Sequence, residues 1–193
     1  MAKNNFFAYL NRMKYIERWS LMHSTVKENV MEHSEQVAQI AHALATINNV
    51  VYGGSVNADR CVTLAVFHEA SEVITGDLPT PIKYYNNEIK VAYKGLEGVA
   101  NEKLLTMLPE EMRERYRAAI SPDAASEEYR IVKAADRLAA YIKCVEEMKS
   151  GNKEFAKALK TIEADIKDCG IPEVEYFIKN FLPGFSLTLD ELD

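Results

Sequence analysis

The sequence has few of the residues that build disulfide frameworks, zinc cages or flexible tails. Its three cysteines, Cys61, Cys144 and Cys169, lie far apart and form no CxxC pair. Such scattered thiols argue against a disulfide scaffold and predict a reducing, cytoplasmic location. Only eight glycines and six prolines interrupt a chain that is 48% hydrophobic, which is the composition of a folded protein.

Long apolar runs are also missing. No segment approaches the roughly 20 apolar residues of a membrane-spanning helix, and the first 15 residues contain no apolar stretch of signal-peptide length. We therefore expect no membrane partner. The net charge of −6 argues against a nucleic-acid partner, although a local cationic pocket for a small anion is compatible with it. The sequence contains neither a P-loop nor a dinucleotide-binding glycine motif.

The spacing of apolar residues is helical almost throughout, and no alternating strand pattern or internal repeat is visible. A chain of 193 residues has room for one domain with a sizeable core. We therefore predict a compact, single-domain, all-α fold over residues 1–193. Asn57, Thr80 and Ser126 are the expected N-caps of three helices. The predicted helices cover 5–17, 30–48, 58–75, 81–108 (with a bend near Gly95 or Gly98), 109–119, 127–149, 153–168 and 172–181.

One apolar helix carries three groups that bind metals or move protons: His68, Glu69 and Glu72. A helix turns by about 100° per residue, so the three side chains point into one sector. Charged groups are rarely buried without a partner, so this sector requires a metal, a cation or a substrate. The alternative is an ordinary helix face, on which His68 forms a hydrogen bond in the core and the glutamates are solvated.

His33 and Asp136 are candidates of the same kind. His33 lies four residues before Val37 and so faces the core side of its helix. Alone, it is more often a hydrogen-bonded core histidine than a ligand. Asp136 lies mid-helix among small and apolar residues, although aspartate prefers helix caps. An ion pair with Lys133 is the alternative explanation for Asp136.

Two further segments are suited to binding an anionic ligand. The loop 76–81, stiffened by two prolines, could hold Asp77 and the Thr80 hydroxyl beside the helix of His68. Arg18 and Trp19 combine a planar cation suited to phosphate with an indole suited to a sugar or a base. The alternative explanations are structural. A rigid turn accounts for the loop, and an Arg-Trp pair usually only packs against its neighbours.

Together these residues resemble a known pattern. His33, the pair His68-Glu69 and the distant Asp136 resemble the H…HD…D signature of HD-domain metal-dependent phosphohydrolases. The similarity covers essentially the whole chain and is closest to the bacterial YfbR-type 5′-deoxynucleotidases. The segments that carry it are Phe6-Phe7, Arg18-Trp19, Glu32-His33-Ser34, 70–73, 75–81 and 186–191.

The resemblance implies an HD-type helical bundle with a core at about 29–149 and the N- and C-terminal helices packed on it. It implies hydrolysis of deoxyribonucleoside 5′-monophosphates to nucleoside and phosphate, in a homodimer. A single divalent metal would be held by His33, His68, Glu69 and Asp136. Two imidazoles and two carboxylates suit Co²⁺ or Mn²⁺ better than a closed thiolate zinc site does.

The resemblance also implies roles for the other candidates. Arg18 would orient the phosphate, Glu72 and Asp77 would serve the proton transfers, and Thr80 would help to hold the substrate. Trp19 would pack near the sugar and disfavour a 2′-hydroxyl. The alternatives are another HD phosphohydrolase, acting on cyclic nucleotides, dNTPs or signalling nucleotides, and a nucleotide-binding protein without turnover.

Position 69 departs from the family pattern, which has aspartate there. The extra methylene of Glu69 extends the reach of the carboxylate by roughly 1.3–1.5 Å. Metal–oxygen bonds of about 2.0–2.2 Å leave little slack for such a change. Three outcomes are open: Glu69 changes rotamer and still binds, the ion has three protein ligands and a water, or the site is metal-poor and the protein binds nucleotides without turnover.

Overall fold

The computed structural model describes residues 4–83 and 85–192, so Tyr84 and the chain ends lie outside the description. Within these residues the secondary structure is helical and contains no β-strand, which confirms the all-α prediction. Short 3₁₀ turns follow α1, precede α9 and follow α10. The helices are α1 (Phe6–Leu10), α2 (Val30–Val51), α3 (Ala58–Phe67), α4 (Glu72–Thr75), α5 (Thr80–Lys83), α6 (Asn87–Leu105), α7 (Glu110–Ile120), α8 (Glu127–Lys149), α9 (Ala156–Lys167) and α10 (Pro172–Asn180).

Side-chain caps fix where the main helices begin. Asn29 caps α2 through a capping box with Glu32, and Asn57 and Ser126 cap α3 and α8 as predicted. Each cap supplies an acceptor to backbone N–H groups that have no partner inside the helix. Thr80 is the first residue of α5, not its cap, so Pro81 is the second helical residue.

The main core lies where α2, α3 and α8 pack together. Leu44, Ala65 and Leu138 are representative residues of these three helices, and all are almost fully buried. Burial of a leucine-sized side chain contributes about 1.5–3 kcal/mol. α9 packs against α8, and α10 packs against α2. The division into a core at about 29–149 with terminal helices packed on it stays a prediction.

A second, smaller core joins α1 to α6 and α7 through Phe6, Leu104 and Ile120. Ala70 belongs to this second core, whereas Ala65 belongs to the main one. The short segment between α3 and α4 therefore runs from one core to the other, and packing holds it at both ends.

The prediction of one helix over 58–75 was wrong, because α3 ends at Phe67 and α4 begins at Glu72. The Nδ1 atom of His68 lies 2.6 Å from the carbonyl oxygen of Ala65. In a continuous helix that oxygen would accept from the backbone of Glu69. The backbone N–H of His68 bonds to the same carbonyl at 3.4 Å, in the tighter 3₁₀ pattern. Side-chain competition for a backbone acceptor thus accompanies the break.

Other boundaries also differ from the prediction. The helix expected over 81–108 is two helices, because Asn86 is extended and its side chain caps α6. α6 then runs without interruption through Gly95 and Gly98. The helix expected over 5–17 becomes 3₁₀ from Asn11 and ends in extended backbone at Ile16. α2 continues to Val51, beyond its predicted end.

In residues 4–83 and 85–192, no helix combines the length and apolar character that crossing a bilayer requires.

Candidate metal centre

His33 and Asp136 meet where α2 packs on α8. The capping box at Asn29 sets the start of α2 and places His33 in its first turns, with the imidazole fully buried. The Nε2 atom of His33 lies 3.1 Å from Oδ1 of Asp136, although the two residues are 103 positions apart in the chain. The packing of two long helices thus creates half of the site.

His68 and Glu69 reach the same place from the break after α3. The Nε2 atom of His68 lies 3.3 Å from Oε1 of Glu69 and 4.0 Å from Oδ1 of Asp136. The rings of His33 and His68 are 5.4 Å apart between centroids. In a continuous helix, adjacent side chains would diverge by about 100°. The tight turn instead brings both side chains to one point.

The structure therefore brings together all four residues that the sequence predicts as metal ligands. His33, His68, Glu69 and Asp136 each offer one ligand atom, and these atoms lie within 4.8 Å of one another. Glu69 takes part despite its extra methylene, because its carboxylate folds back onto His68. This group is called the ligand cluster below.

The hydrogen bonding of His68 shows that the ligand cluster fits a cation. A carbonyl oxygen only accepts, so the Nδ1 bonded to Ala65 must carry a hydrogen. Burial lowers the pKa of His68, which leaves the imidazole neutral near pH 7. Its Nε2 is then an acceptor that faces the acceptor oxygens of Glu69 and Asp136, and it is buried without a hydrogen bond. Converging acceptors of this kind are satisfied by a metal ion.

Asp136 is also bound from the outside of the ligand cluster. Lys133, one turn earlier on α8, places its Nζ 2.8 Å from Oδ2 of Asp136, while Oδ1 faces His33. Burial opposes ionisation, but Lys133 and His33 outweigh it and hold the pKa of Asp136 well below its usual range. The ion pair considered as an alternative to metal binding is thus present together with the ligand geometry.

Glu72 and Asp77 are acidic groups with raised pKa values beside the ligand cluster. Burial, followed by repulsion from Glu69 and Asp77, raises the pKa of Glu72 to about 10. One oxygen of Glu72 is buried without a hydrogen bond. Burial also raises the pKa of Asp77, against the opposing effect of Arg18. Near pH 7 the metal-free protein therefore holds a proton on Glu72.

Arg18 lies next to a short backbone pairing. An isolated antiparallel bridge joins Glu17 to Asn29, next to the start of α2. The Nε atom of Arg18 lies 3.2 Å from Glu28, and the side chain is only 12% exposed. Burial opposes the charge of Arg18, but Asp136, Glu28 and Glu69 outweigh it and raise the pKa of the guanidinium. Arg18 is thus a buried cation within electrostatic reach of the ligand cluster.

Trp19 has an unusual backbone conformation for a bulky residue. Its φ of 57° lies in the left-handed region, which costs about 1–3 kcal/mol and persists only where neighbouring contacts enforce it. The indole packs on the buried ring of Phe155, at 5.3 Å between centroids, and its N–H is buried without a hydrogen bond.

Thr80 is exposed at the start of α5, three residues after Asp77. The loop before it is held from the other side by Tyr93, whose hydroxyl lies 3.3 Å from the carbonyl oxygen of Gly76. Gly76 has a φ of +73°, which favours glycine at this turn. The substrate contact expected of Thr80 stays a prediction.

Sequence reasoning missed some residues of the site. It did not single out Glu28, the partner of Arg18, or the buried ion pair Lys143–Glu147. A lysine and a glutamate four residues apart on a helix usually form a surface pair, so the sequence carried no signal of burial. Thr25 and Val26, which are distant in the chain, bond to that pair.

A groove of about 830 Å³ between α1, α2 and α3 contains none of the residues predicted for the site. Phe7, Leu10, Met31, Val66 and Phe67 form much of its apolar lining. Such a lining does not provide the cations that bind phosphate, so the ligand cluster remains the candidate centre.

Known proteins are similar to this chain over most or all of its length. Residues 5–185 match the family described as 5′-deoxynucleotidase YfbR-like. The 5′-deoxynucleotidase of Vibrio vulnificus is 52% identical over 193 residues, which cover 100% of both chains. The Escherichia coli relative named 5′-deoxynucleotidase YfbR is 49% identical, with 100% of this chain and 97% of that protein covered.

Solved structures show the same fold. An HD-domain phosphohydrolase from Listeria innocua has a TM-score of 0.83 at 24% identity, covering 94% of this chain and 88% of that one. The HD phosphohydrolase of cyanophage S-2L, bound to dA and one catalytic Zn²⁺, has a TM-score of 0.64 at 17% identity. That comparison covers 92% of this chain and 96% of the phage protein. The helical arrangement is therefore that of HD-domain phosphohydrolases.

Proposed function

The chain belongs to the YfbR-like 5′-deoxynucleotidase family, and on this basis we propose that it hydrolyses deoxyribonucleoside 5′-monophosphates to deoxyribonucleoside and phosphate. The observation that carries the proposal is the ligand cluster, in which four metal-binding side chains converge within 4.8 Å. The enzyme is then a phosphoric monoester hydrolase, and its substrate is a small nucleotide.

The ligand cluster would hold one divalent transition metal through His33, His68, Glu69 and Asp136. The chemistry that such an ion supplies is Lewis-acid stabilisation of charge on a phosphoryl oxygen and a lower pKa for a bound water. Two imidazoles and two carboxylates accept Co²⁺ and Mn²⁺. Zn²⁺ joins the ions to be tested because the cyanophage protein binds it.

Arg18 is proposed to bind and orient the phosphate. Among its guanidinium nitrogens in the described structure, only Nε has a hydrogen-bond partner, Glu28. The remaining donors of the planar fork suit the non-bridging phosphate oxygens, which carry the charge of the transition state. The buried position of Arg18 strengthens this interaction, because the dielectric is lower there than in water.

Glu72 and Asp77 are proposed to serve the proton transfers. Hydrolysis of the ester requires removal of a proton from the attacking water and delivery of one to the leaving 5′-oxygen. Burial raises the pKa of both carboxyl groups, that of Glu72 to about 10, and so favours proton uptake at these two positions. Which group receives the proton and which delivers it is a question for pH–rate profiles of the two variants.

Trp19 and Thr80 are proposed to contact the rest of the substrate. The indole of Trp19 lies next to Arg18 in the chain and offers an apolar face to a sugar that lacks a 2′-hydroxyl. Thr80 offers a hydroxyl at the exposed start of α5. These assignments follow the family resemblance.

We also expect a cytoplasmic homodimer, as the resemblance implies. Cys61, Cys144 and Cys169 are all free, which fits a reducing compartment. Light scattering coupled to size-exclusion chromatography would measure the mass in solution. A mass near twice the 21.8 kDa of one chain is expected, and a mass of one chain would contradict the dimer.

The test of the proposed activity is phosphate release from dAMP, AMP and dATP by protein loaded with Co²⁺, Mn²⁺ or Zn²⁺. We expect release from dAMP to exceed release from AMP, and no release of pyrophosphate from dATP. The variant Asp136→Asn, which keeps the side-chain volume but removes a ligand charge, is the matched control. Absence of phosphate release from every deoxynucleoside monophosphate, with the metal content confirmed, would refute the proposal.

A further inference from the structure

Residues 19–27 form a loop that leaves the backbone pairing at Arg18 and returns to it at Glu28. The backbone N–H of Arg18 donates to the carbonyl of Glu28 at 2.9 Å, and Lys27 pairs with Glu17 at 2.7 Å. These contacts close the base of the loop. Its first residue is Trp19, and Arg18 stands directly before it, so the position of the loop sets the position of both side chains.

The second half of this loop is fixed by a buried carboxylate. Glu147, on α8, is 1% exposed and accepts from the backbone N–H and hydroxyl of Thr25, at 2.9 and 2.7 Å to Oε2. It also accepts from the backbone N–H of Val26 at 3.3 Å. A buried carboxylate surrounded by donors is a strong anchor, because charged hydrogen bonds exceed neutral ones in strength.

Two neighbours complete the anchor. Lys143, one turn earlier on α8, binds Glu147 at 2.6 Å and donates to the carbonyl of Val26. Asn152, just after α8, donates to the carbonyl of His23 at 2.7 Å and to Oε2 of Glu147 at 2.8 Å. Lys143, Glu147 and Asn152 are called the loop anchor below.

The loop anchor and the ligand cluster share one rigid element. Asp136 and Glu147 both lie on α8, eleven residues apart, or roughly 16 Å along the helix axis. Phe155, which follows Asn152, carries the ring on which Trp19 packs. A single helix therefore fixes a proposed metal ligand and, through the loop anchor, the two proposed substrate-binding residues.

We propose that Lys143, Glu147 and Asn152 are positioning residues for substrate recognition. They hold Arg18 and Trp19 in a fixed position relative to the ligand cluster. This inference rests on the proposed function, in which Arg18 and Trp19 contact the nucleotide. The strained backbone of Trp19 supports it, because a bulky residue keeps a φ of 57° only where its surroundings are firmly held.

Two variants test the loop anchor. Asn152→Ala removes the contacts to His23 and Glu147 at a partly exposed position, so it is the variant expected to fold without difficulty. Glu147→Gln removes the charge but keeps the volume. Glu173→Gln is the matched control, because Glu173 is also 1% exposed but bonds to Asn48 between α10 and α2.

Fluorescence reports the loop directly, because Trp19 is the only tryptophan in the chain. For both anchor variants we expect a red-shifted emission and stronger quenching by acrylamide than in the wild type. With dAMP, kcat/KM should fall by about tenfold, mainly through KM, since small displacements of positioning groups have large kinetic effects. The metal content of both anchor variants should match that of the wild type. Glu173→Gln should match the wild type in emission, quenching and KM.

Each outcome decides the inference. If Glu147→Gln and Glu173→Gln both lose thermal stability while emission and KM stay at wild-type values, the loop anchor is structural only and the proposal is wrong. A shift in emission with unchanged KM would equally refute a role in recognition. If the wild type releases no phosphate from any deoxynucleoside monophosphate, the proposed function itself fails, and that result is distinct from either of the others.

Discussion

Two polar clusters meet at α8, and they differ in how their acceptors are satisfied. In the loop anchor, both oxygens of Glu147 accept from Thr25, and Lys143 and Asn152 add further donors. In the ligand cluster, the acceptor Nε2 of His68 faces two carboxylates and has no hydrogen bond. The acceptors of the first cluster are satisfied within the protein, whereas the second cluster leaves an acceptor that a cation would satisfy. Carboxylates thus hold a backbone in one place and offer ligand atoms to a cation in the other.

Replacing a proposed metal ligand should have the largest effect on metal binding and activity. Asp136→Asn is expected to abolish binding of the divalent ion and to reduce phosphate release by at least about a thousandfold, because the ion supplies several kcal/mol of charge stabilisation. Elemental analysis and a phosphate assay on the same sample measure both effects. Asp165→Asn, at an exposed position on α9, is the control. Wild-type metal content in Asp136→Asn would remove Asp136 from the ligand set.

Replacing Glu72, beside the ligand cluster, should lower turnover without loss of the bound metal. Glu72→Gln keeps the side-chain volume at a position that is 3% exposed, but it cannot take up or release the proton. We expect turnover to fall by about a hundredfold, the scale of general acid–base catalysis, with one ion still bound per chain. Elemental analysis decides the interpretation, since loss of the ion would make Glu72 a ligand.

The stability that the loop anchor contributes should depend on pH and should not depend on chelators. Burial opposes the charge of Glu147, but hydrogen bonds from Lys143 and Thr25 outweigh it and lower its pKa below the ordinary 4.5. A lowered folded pKa contributes stability that is present above pH 4.5 and is lost as the pH falls below it. Glu147→Gln should therefore cost about 3 kcal/mol at pH 7, and the difference from the wild type should shrink in acid.

Urea unfolding at several pH values, with and without EDTA, measures that prediction. The free energy of unfolding of Glu147→Gln should approach that of the wild type as the pH falls from 5 towards 3. The control Glu173→Gln separates the loss of any buried carboxylate from the loss of this one. A difference between wild type and Glu147→Gln that is constant across this pH range would show that the charge of Glu147 does not stabilise the fold.

The smallest effect is expected at Glu69. Because its carboxylate already lies 3.3 Å from Nε2 of His68, Glu69→Asp should bind one ion and change kcat by less than about fivefold, or roughly 1 kcal/mol. Phosphate release at saturating dAMP and Co²⁺ is the measurement. A gain above a hundredfold would mean that Glu69 does not ligate and that the natural site is incomplete.

The sequence predicted the type of most helices and the identity of the four converging residues, but for different reasons. Helix type follows from local spacing, which is why the caps at Asn57 and Ser126 were found. The convergence of His33 with Asp136 joins residues 103 positions apart, and only the family resemblance indicated it.

The break after Phe67 was missed because neither glycine nor proline marks it. It is accompanied by the bond between the His68 side chain and the Ala65 carbonyl, an acceptor that a continuous helix would use for the backbone of Glu69. The loop anchor was missed for a related reason, since the burial of Glu147 depends on a distant loop folding over it. Local patterns contain no information on such contacts.

The most direct measurement of the central claim is a titration of chelated protein with Co²⁺, with phosphate release from dAMP recorded at each addition. The ligand cluster predicts that activity is absent without the ion, rises in proportion to it and reaches a plateau at one ion per chain. Full activity in the presence of excess chelator, or no activity although one ion binds per chain, would contradict the account.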